Sequence, residues 1–590
     1  MHAIIKTFLM QFSKEQAIEA MDEADQFERF VNFCVVSNRC ATRFDVEEIT
    51  TDEPEVGIDG VAILIGDEVV TTCNEARAIF SRRHRDLDVH YVFVQAKRSE
   101  SFSRESILNI GSAVRDVVAD SPKLPKDSRL FEAAEIHKVV IANVNRVRNG
   151  QPDCTLVYAT TGSWTKDPIL EATKSQIERD LKSTKFFHNV VVEPLGFDEL
   201  RREWVATRAP AEAKFFVLGE LPMPPMEGVS EAIIVLVSAQ EFVKSVLCDE
   251  KGHLRASVFE QNVRHFLGDA NDVNEQIRDT LVDAHKKHRF AILNNGITIT
   301  AREIRRIANT VTVRDFQIVN GCQTSHVLYH NRAQLDTEVV LVVKAISSCQ
   351  DGVVDELVVA TNSQTQVAES QFFAIKSEVR SIQAFFSGFP GDDNDDRRLF
   401  FERRVGEFAG RDLASVRIFD IHLLAKAFAS MFLDAPHDAL GSPSRVYDLT
   451  ELFAKDKIEI AYYTSAFAYY RLVLMAGNSQ IARADGKLKW HALTAMRYLS
   501  LGRLPLAATP DAIETACKKL LDTIWQPPKD SLRAFSEAID LVKSIPRGSD
   551  QDLRAKPFTD RLITAAISAH RTRSVRKPKK PVTKETKTDK

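Results

Sequence analysis

Two short stretches decide the fold predicted for the first part of this chain: Gly57-Ile58-Asp59-Gly60 and Phe93-Val94-Gln95-Ala96-Lys97. Residues 89–94 are nearly all apolar, aromatic or β-branched, which predicts a strand that is covered on both faces. Because side chains two apart on a strand project to the same face, Gln95 and Lys97 should point together where this strand ends. Burying two polar groups there is costly unless they have partners. The pattern therefore favours a polar site, although strands also end in polar residues simply because they emerge into water.

The residue types at this place suit a divalent cation. Mg²⁺ or Mn²⁺ takes oxygen ligands, which Asp59 supplies as a carboxylate and Gln95 as an uncharged amide. Lys97 is then placed to hold an attacking water or a transition-state phosphate. The missing charge has to come from elsewhere, and Glu28 is the candidate, on a helix predicted over residues 16–32. We predict Asp59, Gln95 and Glu28 as metal ligands and, with Lys97, as catalytic residues; a solvated helix glutamate is the alternative for Glu28.

Three elements in this order resemble a known class of enzyme. Phe27-Glu28-Arg29-Phe30 lies on the predicted helix, Asp59 enters a strand, and Gln95-x-Lys97 closes the next one. This arrangement resembles the PD-(D/E)xK nucleases, in the Mrr-type variant that has Gln in place of the middle acid. The resemblance implies a mixed α/β, restriction-endonuclease-like domain over residues 1–205. Within it we predict strands around residues 43–49, 61–65 and 90–94. It also implies Mg²⁺-dependent cleavage of nucleic acid, with DNA favoured over RNA.

The middle of the chain carries the most distinctive motifs. They occupy residues 259–268, 273–281, 294–299, 316–325, 360–364 and 400–404. Together and in this order they resemble the abortive-infection phage-resistance (AIPR) family. The resemblance implies an α+β AIPR core domain over residues 215–415, in a bacterial protein used against phage. It implies no particular chemistry for that domain.

One of these motifs predicts a strand, a glycine turn and a helix start at residues 318–325. Free backbone N–H groups at such a helix start can bind an anion. The candidate residues for a nucleotide or anion are Asn320, Gly321, Gln323, Thr324, Asn294, Asn295, Asn362 and Gln364. The turn is similar to that of ParB-like and DGQHR-type proteins, except that Thr324 stands where those families have Arg. The alternative is a buried network of Asn and Gln amides that fixes the loops.

The rest of the chain predicts scaffold and tail. Residues 416–568 show apolar positions at helical spacing, which indicates an all-α region that could also serve as an oligomerisation surface of a homo-oligomer. Residues 569–590 are predicted as a basic, disordered tail. From residue 571 onward there are nine Lys/Arg and two Asp/Glu, a balance of +7, which leaves −11 for the remainder of a chain whose net charge is −4. The tail could contact nucleic acid or merely solvate the chain end.

Composition excludes several other classes. The 590 residues are 44% hydrophobic and 27% charged, which is typical of an ordinary globular protein. Eight scattered cysteines without a CxxC pair argue against a zinc site or a disulfide framework. No apolar run reaches the length of a membrane span and the start of the sequence lacks a signal-peptide pattern, so we expect a cytoplasmic protein without a membrane partner.

Two functions fit these patterns. The first is an antiphage effector: a Mg²⁺-dependent endonuclease whose AIPR region acts as sensor or regulator of a nucleotide or phage-derived trigger. The second is a non-catalytic sensor that binds a nucleotide or nucleic acid and carries a degenerate nuclease fold. The uncharged Gln95 is the feature that keeps the second function open, and an RNase is a weaker third option.

Overall fold

The computed structural model describes most of the chain, in two compact units. The first unit comprises Met1–Arg380 and Glu402–Ile421, and the second comprises Ser381–Phe401 and His422–Lys590. The described residues are all those outside 41–42, 52–56, 67, 82–86, 124–127, 209, 250–251, 260–271, 284, 349–352, 354–356, 358–376, 390–394, 396, 404–406, 409–410, 412, 441–442, 448, 450–451, 454–457, 504–508, 527 and 577–590.

The first unit begins with a five-stranded sheet and its covering helices. In chain order the elements are α1 (Ala3–Gln16), α2 (Glu23–Ser37), α3 (Val46–Ile49), β1 (Gly60–Ile65), β2 (Glu68–Val70), α4 (Cys73–Ser81), β3 (Val89–Lys97), α5 (Arg104–Val117), α6 (Ser128–Ala142), β4 (Asp153–Thr160), α7 (Pro168–Ser183), β5 (Val190–Leu195) and α8 (Phe197–Ala206). The sheet order is β2-β1-β3-β4-β5. β1 is antiparallel to β2 and β3, while β3, β4 and β5 run parallel. A mixed α/β architecture is thus confirmed for this part.

The sheet is covered on both faces, as the apolar run in β3 predicts. Tyr91 and Phe93 pack with α5 and α6 in one core cluster. Val92, Val94 and Ala96 pack with α1, α2 and α8 in another. Each fully buried large apolar side chain contributes about 1.5–3 kcal/mol relative to an exposed one. This two-sided packing fixes the position of the strand that ends in Gln95 and Lys97.

Two predictions for the first residues are wrong, the first only in part. The helix predicted over residues 16–32 is correct only from Glu23 onward, where α2 begins, since α1 ends at Gln16 and Ala17 takes a left-handed conformation (φ 53°, ψ 45°). Asp22 then caps α2 by accepting a hydrogen bond from the backbone N–H of Ala24 at 2.9 Å. The strand predicted around residues 43–49 is the short helix α3, because Asp45 caps it through the N–H of Glu47.

A six-stranded sheet follows in the same unit. Its elements are β6 (Glu212–Phe216), β7 (Gly219–Pro222), β8 (Glu231–Ser238), α9 (Ala239–Phe242), α10 (Asp272–Val282), α11 (Phe290–Leu293), β9 (Ile297–Ile307), β10 (Thr310–Asn320), α12 (Cys322–His330) and β11 (Val340–Ser347). The strand order is β6-β10-β9-β11-β8-β7. The boundary predicted at residue 215 falls inside β6, which pairs with β10 from Glu212 onward. The sheet therefore begins slightly earlier than predicted.

The C-terminal region is helical, as predicted. The remaining elements are α13 (Ser377–Gly388), β12 (Phe400–Phe401), β13 (Ile418–Phe419), α14 (Ile421–Phe432), α15 (Pro436–Ala439), α16 (Pro443–Tyr447), α17 (Glu459–Gly477), α18 (Lys489–Leu501), α19 (Pro510–Ile524), α20 (Pro528–Ser544) and α21 (Lys556–Arg576). α21 continues past residue 569, where the disordered tail was predicted to begin, and residues 577–590 lie outside the described part. Among the described residues, none of the helices has the length and apolar character needed to cross a bilayer.

Candidate active site

The register of β1 and β3 brings Asp59 and Gln95 together. Gly60 pairs with Val94 in this antiparallel ladder, so Asp59 and Gln95 are the next pair outward. The backbone N–H of Asp59 donates to the carbonyl of Val94 at 2.7 Å, which continues the pairing to this position. Asp59 is 1% exposed and Gln95 is 3% exposed. Two polar side chains that are distant in sequence are thus buried side by side.

Each of these side chains has an oxygen without a hydrogen-bond partner among the described residues. Asp59 Oδ2 accepts from the backbone N–H of Ala96 at 2.7 Å. Asp59 Oδ1 and Gln95 Oε1 are buried and accept nothing from the described part of the chain. An unsatisfied buried acceptor costs about 1–3 kcal/mol, and such groups call for an explanation such as an ion or a catalytic role. Two neighbouring oxygens of this kind fit a hard divalent cation.

Lys97 lies on the same face of β3 as Gln95 and is half-buried. Burial raises the pKa of the Asp59 carboxyl, while the charge of Lys97 and the N–H of Ala96 counteract part of that rise. Lys97 is therefore close enough to act on Asp59 electrostatically. The ionised form of Asp59 nevertheless remains short of positive charge, which a bound cation would supply. We call Asp59, Gln95 and Lys97 the metal-site cluster.

Glu28 is placed differently from the other predicted ligands. α2 covers the sheet face that carries Val94 and Ala96. Asp59 and Gln95 lie, by strand alternation, on the other face, with Phe93 and α5. The structure thus brings Asp59, Gln95 and Lys97 together but holds Glu28 on the opposite layer. Glu28 could reach the cluster only around the end of the strands.

The neighbours of Glu28 on α2 are anchored at that end of the strands. Arg98 follows Lys97 in the sequence, and its Nη1 lies 3.2 Å from Glu23 Oε1. Asn32, one turn after Glu28 on the same helix face, donates to the carbonyl of Asp59 at 2.9 Å. The buried contact of Asn32 holds α2 beside the start of β1, whereas the exposed pair of Glu23 and Arg98 contributes little. The role of Glu28 as a ligand stays a prediction.

Two residues near the cluster were missed by sequence reasoning. Tyr158 lies beside Gln95 on β4, is 2% exposed, and its hydroxyl accepts from the N–H of Ser103, the cap of α5, at 3.3 Å. Asn32 is fully buried in α2. A polar residue within the apolar face of a helix was the available signal for Asn32. Nothing in the sequence distinguishes Tyr158 from an ordinary strand tyrosine.

The second predicted site forms an amide cluster, defined here as Asn274, Asn294, Gln323 and Thr324. Asn274 Nδ2 donates to Gln323 Oε1 at 2.8 Å within the protein interior. Asn294 Oδ1 accepts from the N–H of Gly296 at 3.0 Å, and the hydroxyl of Thr324 lies 3.4 Å from the same oxygen. Asn274 thus pairs with Gln323, and Asn294 contacts both Thr324 and the loop before β9. The arrangement favours the amide-network interpretation of this motif.

The glycine turn ahead of α12 has the predicted geometry. Gly321 has φ +94°, and a Cβ there would lie 2.8 Å from Ile297 Cγ1, so only glycine fits. Of the other predicted residues, Asn320 is half-buried and Asn295 is exposed. Asn362 and Gln364 lie outside the described residues. The turn and the amide cluster therefore account for only part of the predicted anion site.

Clusters rich in classical metal ligands do not occur in the described part of the chain, the metal-site cluster included. No group of three or more His, Cys, Asp and Glu side chains in that part could hold a metal ion. A cation at the metal-site cluster would depend on an amide oxygen beside one or two carboxylates. Such a ligand set suits Mg²⁺ or Mn²⁺ better than zinc.

Comparison with known proteins bears on the second half of the chain. Residues 259–551 match the family model described as AIPR protein. No curated protein and no solved structure matches the chain. The matched interval contains the amide cluster and most of the helical region, whereas the metal-site cluster lies outside it. Over residues 259–551, just under half of its length, the chain is therefore similar to the AIPR family.

Proposed function

We propose that this protein is an antiphage effector in which the metal-site cluster is a divalent-metal-dependent endonuclease site and the AIPR region is its sensor or regulator. The AIPR match over residues 259–551 suggests a role in abortive infection. The nuclease part of the proposal rests on the cluster formed by Asp59, Gln95 and Lys97. DNA is the proposed substrate, with RNA as the other nucleic acid to test.

The pair of unsatisfied buried oxygens is the observation that carries the nuclease proposal. Asp59 Oδ1 and Gln95 Oε1 have no partner among the described residues, although both side chains are buried. A fold that used these positions only for packing would be more stable with apolar side chains there. A cation-binding role explains why polar groups are tolerated at the end of a buried strand.

The side chains of the cluster divide the chemistry among them. A cation bound there would activate water and shield the charge that develops on the phosphate. The N–H of Ala96 holds Asp59 Oδ2, which leaves Asp59 Oδ1 and Gln95 Oε1 available as ligands. Lys97 would orient the attacking water or stabilise the phosphate in the transition state. Glu28 is the proposed further carboxylate, approaching from α2 around the strand ends.

A contact between the two sheets of the first unit supports a regulatory role for the AIPR region. His330, the last residue of α12, places Nε2 3.0 Å from Asp88 Oδ2. Burial alone would raise the pKa of Asp88, but His330 and Arg148 hold it well below its usual range. Asp88 immediately precedes β3. The helix that starts at the glycine turn thus ends against the residue before β3, the strand whose other end carries Gln95 and Lys97.

Direct cleavage assays test the nuclease proposal. Purified wild-type protein and its Lys97→Ala variant are incubated with Mg²⁺ or Mn²⁺ and with plasmid DNA, phage DNA and total RNA. We expect metal-dependent cleavage by the wild type only. Whichever nucleic acid is cleaved identifies the substrate. Equal cleavage by Lys97→Ala would show that the activity resides elsewhere or in a contaminant.

A second candidate function is a non-catalytic sensor with a degenerate nuclease fold. The uncharged Gln95 favours it, because Gln95 leaves Asp59 as the one carboxylate of the metal-site cluster. Calorimetry with Mn²⁺ separates the two functions. A degenerate site should show no heat of binding that depends on Asp59, whereas the nuclease proposal requires one.

A further inference from the structure

We propose that Asn32 is a positioning residue that fixes the backbone of Asp59 and thereby sets the affinity of the site for its cation. The inference rests on the proposed function and names a residue to which that function gives no role. Asn32 is fully buried on α2. Its Nδ2 donates to the carbonyl of Asp59 at 2.9 Å and to Thr50 Oγ1 at 3.1 Å.

The backbone around Asp59 is held from several directions. The carbonyl of Asp59 also accepts from the N–H of Thr51 at 3.3 Å. The N–H of Asp59 donates to the carbonyl of Val94 at 2.7 Å. Thr50 itself is fixed, since its hydroxyl donates to the carbonyl of Val46 at 2.7 Å. Asn32 is the side chain that ties these backbone contacts to α2. The direction of the Asp59 carboxylate therefore depends on it.

Gly60 shows how closely Asn32 approaches the strand. A Cβ at residue 60 would lie 2.1 Å from Asn32 Oδ1, far inside contact distance. Because residue 60 is glycine, the Asn32 amide can reach the backbone carbonyl of Asp59. The pair Asn32–Gly60 is thus a matched contact between helix and strand, and either residue can be changed to disturb it.

A purely structural role explains Asn32 poorly. Its Oδ1 is buried and has no partner among the described residues. Phe27, Phe30 and Val31 on the same helix are apolar and buried against the sheet. An apolar residue at position 32 would pack there without an unsatisfied oxygen. The hydrogen bond from Asn32 Nδ2 to the carbonyl of Asp59 accounts for an amide at this position.

Metal titrations of cleavage, together with calorimetric titration of Mn²⁺ into each variant without nucleic acid, test this inference. Partners that orient a metal ligand typically change metal affinity by about 10–100-fold when they are mutated. For Asn32→Ala and for the isosteric Asn32→Asp, we expect the Mn²⁺ concentration for half-maximal cleavage to rise by about 10-fold or more. Cleavage at saturating Mn²⁺ should stay close to that of the wild type, because the reacting groups remain.

Asn38→Ala is the matched control. Asn38 caps the same helix and donates to the carbonyls of Cys34 and Glu203, both at 3.0 Å, and to Glu203 Oε2 at 2.7 Å. It makes a comparable number of hydrogen bonds without touching Asp59. We expect Asn38→Ala to lower the melting temperature while leaving the Mn²⁺ requirement unchanged.

The outcomes separate this inference from the proposed function. An unchanged Mn²⁺ requirement in Asn32→Asp, in wild-type-like folded protein, would overturn the inference while the nuclease proposal stood. If Asn32 variants fail to fold, Gly60→Ala displaces the intact amide and should raise the Mn²⁺ requirement in the same way; an unchanged value there would also overturn it. Absence of both cleavage and Mn²⁺ binding in the wild type would instead overturn the proposed function, and this inference with it.

Discussion

The metal-site cluster and the amide cluster are both buried polar groups in the first unit, yet they differ in how their hydrogen bonds are arranged. In the amide cluster, Asn274 donates to Gln323 at 2.8 Å, and the side chains stabilise one another. In the metal-site cluster, Asp59 Oδ1 and Gln95 Oε1 belong to residues that are neighbours across the β1–β3 ladder, and neither oxygen has a partner among the described residues. In the first arrangement a buried donor is paired with an acceptor of the protein, whereas in the second two buried acceptors are left for an external ligand.

This difference teaches how two similar sequence patterns can be told apart. Both clusters lie at the ends of strands and both contain glutamine, so the sequence motif alone does not separate a binding site from a structural network. The decisive property is whether replacing the polar group leaves another group unsatisfied. Mutations at matched positions should therefore have opposite consequences for stability in the two clusters.

The largest expected effect is the loss of cleavage when the metal-site cluster is changed. Asp59→Asn keeps the shape of the side chain but removes its charge, and Lys97→Ala removes the ammonium group. We expect each to lower the cleavage rate by about 100-fold or more, because both act on charge that develops in the transition state. Initial rates under saturating Mn²⁺ provide the measurement.

Arg98→Ala is the control for these two variants. Arg98 follows Lys97 but is exposed and paired with Glu23 at 3.2 Å. Exposed ion pairs of this kind contribute little to stability. Its cleavage rate should stay within about twofold of wild type, on the same reasoning. A loss as large as that of Lys97→Ala would indicate general disruption of the strand end.

The next effect concerns the stability of the amide cluster. Gln323→Met preserves length and volume but removes the acceptor for Asn274 Nδ2. We expect the free energy of unfolding to fall by about 1–3 kcal/mol, because a buried donor loses its partner. Urea denaturation measures the change. An unaffected midpoint would show that the amide cluster does not stabilise the fold.

A third buried polar group offers a test by pH. Burial lowers the pKa of His491, a fully buried residue in α18, to about 3, and the charge of His437 adds to this. The unfolded chain binds a proton near pH 6.5, whereas the folded chain does not. Stability from this group is therefore complete above pH 6.5 and is lost as the pH falls towards 3. We expect a slope of at most about 1.4 kcal/mol per pH unit between these values.

His491→Leu should remove that slope. Denaturation midpoints of the wild type and the variant at pH 7.5 and pH 5 make the comparison. Lowering the pH should reduce the stability of the wild type more than that of the variant. If the free energies of unfolding of both proteins changed equally between these pH values, folding would not lower the pKa of His491.

The smallest effect on stability, and the most informative one, is expected at Gln95. Gln95→Met removes an unsatisfied acceptor and leaves no described partner behind. We expect the free energy of unfolding to stay the same or to rise by about 1 kcal/mol, while cleavage is lost. The pair Gln95→Met and Gln323→Met thus sharpens the comparison, since the same substitution acts with opposite sign. A destabilisation at Gln95 as large as that at Gln323 would remove the distinction.

Several elements could be predicted from the sequence because local patterns determine them. The apolar run of β3, the cap of α5 at Ser103 and the glycine turn before α12 follow from residue type and spacing. The helical C-terminal region follows from its repeated apolar spacing. The proximity of Gln95 and Lys97 follows from strand alternation alone.

Other features depend on tertiary contacts and could not be predicted. The break at Ala17 uses a left-handed conformation at a residue that strongly favours helices. The contact between Asn32 and Asp59 arises only when α2 packs on the sheet. The placement of α2 on the face opposite Gln95 likewise depends on strand order. Spacing along the chain contains no information about these contacts.

Mn²⁺ binding measured by calorimetry tests the central claim most directly. The proteins to compare are the wild type, Asp59→Asn and Gln323→Met, each in folded form without nucleic acid. We expect binding by the wild type and by Gln323→Met, and none by Asp59→Asn. Wild-type protein that binds no Mn²⁺, or Asp59→Asn protein that binds it with unchanged affinity, would contradict the assignment of the metal-site cluster.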